Sequence, residues 1–278
     1  MPALGDSLLC TTFRGPAGAS SAFTPPPPHG PGVPLFLVPG FGLDGRSFER
    51  IAGLDAARRT VFWNLPNELP ETGGLAALAR LCLDHADRAG MPARFVIGGS
   101  SLGGTIALAA ALEAPERCAG LVLFGTSASW RELGPRLRFA RLLLPLLPAR
   151  GFHRRLATIL FGHAGRSDDL DALRRQAEHR TKRHAATVTR LLHEGGSYDI
   201  GHRLHEVTAP TLVVHDPRER VVPFDAAESL LRIRGARCVP VPRSGHLPYL
   251  GDPAACLAAL APFLSDIDAR ESGAGRRT

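Results

Sequence analysis

One serine, one histidine and two carboxylates carry the chemistry this sequence offers. The serine is Ser101, in the run Phe95-Val96-Ile97-Gly98-Gly99-Ser100-Ser101-Leu102-Gly103-Gly104. The pattern Gly-x-Ser-x-Gly fits one register there, because centring it on Ser100 would need glycine where Leu102 stands. A strand that turns abruptly into a helix strains the central serine and lifts its hydroxyl to the sheet edge. Residues two positions away must be tiny, since the two backbones crowd. The helix N-terminus adds partial positive charge where an oxyanion would form. The chemistry this predicts is nucleophilic attack on a carbonyl. A Gly/Ser-rich loop without chemistry would have the same composition. The apolar strand before it and the Ala-rich helix after it favour the catalytic reading.

A serine nucleophile needs a base. The chain has 11 histidines, most of them between residues 153 and 205, so a histidine alone proves little. His246 stands out because it follows the last apolar strand, in Val241-Pro242-Arg243-Ser244-Gly245-His246-Leu247-Pro248. A loop there can hang an imidazole beside Ser101, to take its proton and pass it to the leaving group. A carboxylate must then orient the ring. Two stand on one turn, His215-Asp216-Pro217-Arg218-Glu219-Arg220-Val221-Val222-Pro223, and the residues alone admit either Asp216 or Glu219. Both also read as surface carboxylates paired with Arg218 or Arg220.

These residues need elements to carry them. Short apolar runs bounded by Gly or Pro predict buried strands at Leu35–Val38, Val61–Leu65, Phe95–Gly98, Leu121–Phe124, Leu212–His215 and Cys238–Val241. Continuous rather than alternating apolar runs suit a parallel sheet covered on both faces. Helices are predicted at Leu75–Ala89, Gly104–Leu112, Ala226–Arg232 and Pro253–Phe263. Strands alternating with helices predict an α/β fold with a mostly parallel, doubly wound central sheet. Leu8–Phe13 and Ser20–Phe23 admit one short hairpin in an otherwise Pro/Gly/Ser-rich start.

Four segments, Leu35-Phe36-Leu37-Val38-Pro39-Gly40-Phe41-Gly42 and onward to Phe48, 95–104, 210–223 and 241–253, resemble the α/β-hydrolase superfamily in its order. The resemblance spans about Leu35 to Phe263 and points to the serine esterase-like branch with a helical cap. It implies an eight-stranded sheet and the chain order serine, acid, histidine. Spacing to Val222-Pro223 in relatives puts the acid at Glu219, where aspartate is usual, and leaves Asp216 as the alternative acid in a slot more often held by glycine. The oxyanion donors it implies are the backbone N–H groups of Leu102 and Phe41. Many relatives carry His-Gly where this chain has Pro39-Gly40. The segment after the next strand, Trp63-Asn64-Leu65-Pro66, also departs from the family pattern.

After Phe124 the next strand begins only at Leu212, far beyond the usual connection of about 4 to 6 residues. The segment between has helical spacing and predicts a cap inserted over one sheet edge. The expected organisation is a core of residues 1–126 and 209–271, a cap of 127–208 and a disordered tail of 272–278. From Trp130 to Thr208 there are 15 Lys/Arg against 8 Asp/Glu, an excess equal to the whole chain's +7. The favoured reading of that charge is an amphipathic lid in an arginine-biased sequence. A docking surface for an acidic acyl carrier protein and contact with an anionic membrane surface are the alternatives. Nucleic acid is not expected, since no binding motif accompanies the charge.

The expected function is hydrolysis of carboxylic esters, with a small-molecule acyl ester as substrate and an acyl-enzyme intermediate. The alternatives are a thioesterase or carrier-protein ester hydrolase, and a non-catalytic ligand-binding protein of the same fold. No metal or organic cofactor is implied. The five cysteines are scattered without metal spacing, the first residues lack a secretory pattern, and no apolar stretch nears the roughly 20 residues a membrane span needs. A cytoplasmic protein is therefore expected.

Overall fold

The computed structural model describes residues 9–15, 18–24, 29–56, 58–65, 73–129, 131 and 198–274. Each apolar run predicted as a strand overlaps one, with Asn64, Leu65 and Val241 falling just past the strand ends. The strands are β1 (Leu9–Gly15), β2 (Gly18–Thr24), β3 (Gly32–Val38), β4 (Arg58–Trp63), β5 (Phe95–Ser100), β6 (Cys118–Phe124), β7 (Thr211–His215) and β8 (Arg237–Pro240). They form one eight-stranded sheet in the order β1-β2-β4-β3-β5-β6-β7-β8. The β1–β2 hairpin joins β4 antiparallel, and every other pairing is parallel.

The apolar runs are continuous because both faces are buried. Along β3, Phe36 and Val38 enter one core and Leu35 and Leu37 the other, as a period of two requires. The first core receives α1 (Gly74–Arg88) and α2 (Leu102–Glu113). Helix α1 buries Leu75, Leu78, Ala79, Cys82 and Ala86, a stripe at helical spacing. Helix α2 is buried from Leu102 to Leu112 and is half alanine and glycine, so it lies close on the sheet. Short helices α3 (Phe224–Ser229) and α4 (Pro248–Gly251) precede the long α5 (Pro253–Ala274), which packs Cys256, Leu260, Leu264 and Ile267 into the second core.

Several boundaries differ from those expected, and three have a clear physical reason or consequence. Strand β4 starts at Arg58, because its guanidinium is neutralised by Asp268 at 2.8 Å and donates to the Val33 carbonyl at 2.9 Å. Helix α5 runs through Pro262 to Ala274 and so into the expected tail. Its last core turn is clamped by Arg94, which donates to both Glu271 oxygens at 2.9 and 3.0 Å. Parts of the expected cap belong to the core: Ala128, Tyr198, Leu204 and Val207 are buried in the first cluster. Ser129 and Asp199 pair across a β-bridge, so the insertion leaves and returns at one point. Residues 132–197, which hold most of the expected cap, lie outside the described residues, as does the end of the tail. No helix among the described residues is long and apolar enough to cross a membrane.

Parallel pairing has one consequence for function. It brings the C-terminal ends of β3, β5, β6, β7 and β8 to the same sheet edge, and the loops leaving those ends carry every residue singled out for chemistry.

Candidate active site

Ser101 follows β5 and caps α2 with φ 52° and ψ −122°, a conformation rare for a residue with a Cβ. Steric crowding explains the glycines around it. A Cβ at Gly99 would strike the Gly103 carbonyl, and one at Gly103 the Val38 carbonyl. A Cβ at Gly104 would come within 2.6 Å of the Thr126 methyl. The strained turn is held from outside by hydrogen bonds. The Ser101 amide donates to the Phe124 carbonyl at 3.0 Å, and the Ser101 carbonyl accepts from the Thr126 hydroxyl at 2.7 Å and the Thr105 amide at 3.1 Å. Strand β6 and helix α2 thus fix the position of a half-buried serine.

The acid turn follows β7. Asp-Pro at its first two positions suits a tight turn, and the Glu219 amide closes it on the Asp216 carbonyl at 3.1 Å. Glu219 points inward and is 7% exposed. One oxygen, Oε1, lies 3.1 Å from His246 Nδ1 and accepts from the Val222 amide at 2.6 Å, while Oε2 accepts from the Val221 amide at 2.7 Å. Burial works against this carboxylate. The neighbouring His246, the Val221 amide and His215 outweigh it, so the group lies below the ordinary carboxyl value and is ionised. The extra methylene of glutamate is accommodated by folding the side chain back over its own turn.

Of the two candidate acids, only Glu219 meets the imidazole. Asp216 is equally buried, but its Oδ1 accepts from the Arg218 amide at 2.9 Å and its Oδ2 from the Gly245 amide at 2.7 Å. Its contacts run to backbone, including that of the residue just before His246.

His246 is 3% exposed. With Nδ1 turned to Glu219, its Nε2 is buried and has no partner among the described residues. The loop that carries it departs from ordinary backbone twice, at Arg243 (φ 66°) and Gly245 (φ 76°). The Val241 amide ties it to the His215 carbonyl at 2.8 Å, and the Ser244 hydroxyl donates back to the Val241 carbonyl at 2.6 Å.

The loop after β3 completes the edge. A Cβ on Gly40 would sit 3.5 Å from the Ser101 Cβ, so this loop lies against the serine. Gly42 takes φ 74°, and the Leu43 amide closes the turn on the Gly40 carbonyl at 3.1 Å. The amides of Phe41 and Leu102 have no backbone partner among the described residues. Asn64 gives the departure after β4 a physical role: its side-chain oxygen accepts from the Gly45 amide at 2.6 Å and braces the same loop.

Sequence reasoning missed several residues that shape the site. His215 is wholly buried, with Nε2 3.0 Å from the Val222 carbonyl and 3.8 Å from Glu219 Oε1. Burial holds its imidazole below the ordinary value despite the adjacent carboxylate. Gly125 has φ 49°, and a Cβ there would strike the His246 carbonyl. Tyr249 is fully buried behind the elbow. Burial pushes its hydroxyl up to about 12, against the opposing pull of the Ser100 and Ser47 hydroxyls. The one available sequence signal was Gly125-Thr126-Ser127 directly after a strand, a turn-like run at the same edge.

A sequence profile described as the alpha/beta hydrolase family matches residues 35–259. A pimeloyl-[acyl-carrier protein] methyl ester esterase of Nitrosomonas europaea is 31% identical over 202 residues, covering 67% of this chain and 79% of its own. A protein of Rhizobium rhizogenes named for carbamate hydrolysis, RutD, is 29% identical over 190 residues, covering 63% and 71%. Among solved structures, a thermophilic esterase from Thermogutta terrifontis superposes with a TM-score of 0.76 at 22% identity, covering 94% of this chain and 99% of its own.

Proposed function

Because the chain belongs to the alpha/beta hydrolase family, we propose that it hydrolyses carboxylic esters through an acyl-enzyme on Ser101. The observation that carries this reading is the 3.1 Å contact between buried Glu219 and His246, at the sheet edge where Ser101 sits in its strained turn. Ser101 Oγ attacks the ester carbonyl while His246 Nε2 takes its proton. Glu219 holds the Nδ1–H tautomer and stabilises the cation that forms. The amides of Phe41 and Leu102 receive the oxyanion. His246 returns the proton to the departing alcohol, then draws one from the water that releases the acid. The named activity of the Nitrosomonas europaea relative supports the ester reading.

A second reading narrows the substrate to an acyl ester borne on an acidic carrier protein. That relative's name and the excess of seven positive charges between Trp130 and Thr208 favour it. It predicts a KM that rises with salt for a carrier-bound ester and not for a small neutral one.

The test is covalent labelling with a fluorophosphonate probe, followed by turnover of p-nitrophenyl esters of graded chain length. The expected result is one label per chain at Ser101, and loss of labelling and turnover in Ser101→Ala with the fold intact. Turnover retained by Ser101→Ala, or no labelling of the natural chain, overturns the reading and leaves a ligand-binding protein of this fold.

A further inference from the structure

We propose that Asp216 is a positioning residue that sets the place of His246 relative to Glu219. The inference rests on the catalytic reading above and deepens it. Asp216 directly follows β7, is 2% exposed, and has its two oxygens on two different loops. Oδ1 accepts from the amide of Arg218, the residue before the acid. Oδ2 accepts from the amide of Gly245, the residue before the base. One buried carboxylate therefore joins the backbones one step away from both partners of the Glu219–His246 contact.

The base loop needs such a tie. It contains two residues with positive φ, Arg243 and Gly245, and strained backbone persists only where its surroundings over-determine it. On the far side of His246 the Leu247 carbonyl accepts from the Leu250 and Gly251 amides at the start of α4, and the other links on the near side lie further off. The Val241 amide bonds the His215 carbonyl, and Ser244 bonds within the loop at Val241. Apart from the His246–Glu219 contact itself, the Gly245 amide is the nearest point at which the loop is hydrogen-bonded to the acid turn. This role also explains the local sequence. Aspartate has the right reach for its own turn, and its side chain can serve Arg218 as an Asx-turn acceptor while its second oxygen remains free for another loop.

The natural protein is compared with Asp216→Asn and Asp216→Ala. Both variants remove the charge, but asparagine keeps a carbonyl oxygen for one of the two amides and alanine keeps none. Active-site titration with the fluorophosphonate probe gives the number of competent sites, and the labelling rate per site gives the reactivity of Ser101. Steady-state turnover gives kcat and KM. In Asp216→Ala, labelling is expected to reach one site per chain. The labelling rate and kcat should both fall by about 10- to 100-fold, the scale of a misplacement near 1 Å, with KM little changed. Asp216→Asn should stay within about ten-fold of the natural protein, since one charge-free acceptor still fits.

Natural rates in Asp216→Ala overturn the proposal. Equal losses in both variants also overturn it, since the effect would then be charge rather than the tie. Fewer sites at an unchanged rate per site, or an Asp216→Ala chain that does not fold, overturn it too, because the carboxylate would then hold the domain and not His246. Failure of the underlying catalytic reading is visible separately, as absence of labelling at Ser101 in the natural chain.

Discussion

Around Ser101 the fixing groups are main-chain atoms, the Thr126 hydroxyl and the space that glycines leave, whereas around His246 they are carboxylates and a buried imidazole. The elbow is a matter of space. Gly99, Gly103 and Gly104 leave room for no other atom, and the hydrogen bonds of Ser101 run from its amide and carbonyl to β6 and α2. The acid–base side is a matter of charge. Glu219 collects two amides and an imidazole, and Asp216 collects two amides. A change on the first side is therefore expected to cost stability, and a change on the second to cost rate above all.

The largest effect expected is on rate. Glu219→Gln leaves the side chain nearly isosteric but replaces an acceptor by an amide that cannot hold the Nδ1–H tautomer of His246. The loss in kcat should be about 10⁴-fold, the order found when the orienting carboxylate of a serine triad is neutralised, alongside a loss of about 1–3 kcal/mol in stability, because the new NH2 faces a buried backbone amide of Val221 or Val222. The measurement is turnover of a p-nitrophenyl ester beside a thermal melt. A kcat within ten-fold of the natural one would mean that Glu219 serves the turn rather than the base.

On the elbow side the expectation is reversed. Gly104→Ala adds one methyl facing Thr126, with the added Cβ only 2.6 Å from the nearest Thr126 atom. Overpacking of this kind costs about 1–3 kcal/mol, read as a lower urea midpoint. Gly273→Ala is the control, because its Cβ would meet nothing within 4 Å, and alanine in a helix is worth up to about 1 kcal/mol over glycine. A Gly104→Ala chain as stable as the natural one would break the steric account of the elbow.

The same contrast explains what could be read before the structure. Sterics write themselves into sequence: a position that admits no Cβ must be glycine, so the elbow, its register and the strand and helix around it were legible at Ser101. The layering of the sheet was legible in part, since unbroken apolar runs such as Leu121–Phe124 require cover on two faces. Side-chain ties leave no such trace. Asp216 and Glu219 are both carboxylates on one turn, and nothing local says which one points at a ring on another loop. His215 was read only as the end of a strand, because a buried imidazole and a surface one are the same letter. The β4 start at Arg58 was hidden for a like reason, as its partner Asp268 is far along the chain.

The smallest effect tests whether His215 belongs to the charged side of the comparison or merely fills space. Its imidazole lies below the ordinary value, chiefly through burial and further through the nearby His246, against the opposing pull of the Glu219 carboxylate, the Val222 carbonyl and Asp216. A histidine depressed in the folded chain stays neutral there, while the unfolded chain begins to take up a proton near the ordinary value of 6.5. The stability it supports is thus complete above that pH and falls as the solution is acidified toward the folded value. Glu219 acts in a lower window. Its depressed carboxyl contributes stability above the ordinary value of 4.5 and loses it as pH falls through the folded value. Urea unfolding between pH 7.5 and 5.5 therefore reports on histidine and not on Glu219. Over that range the natural chain should lose more stability than His215→Gln, with a slope difference of at most about 1.4 kcal/mol per pH unit, the limit for one proton. Parallel curves for the two proteins would show that His215 takes up its proton alike in both states, and its place beside Glu219 would then be a matter of packing alone.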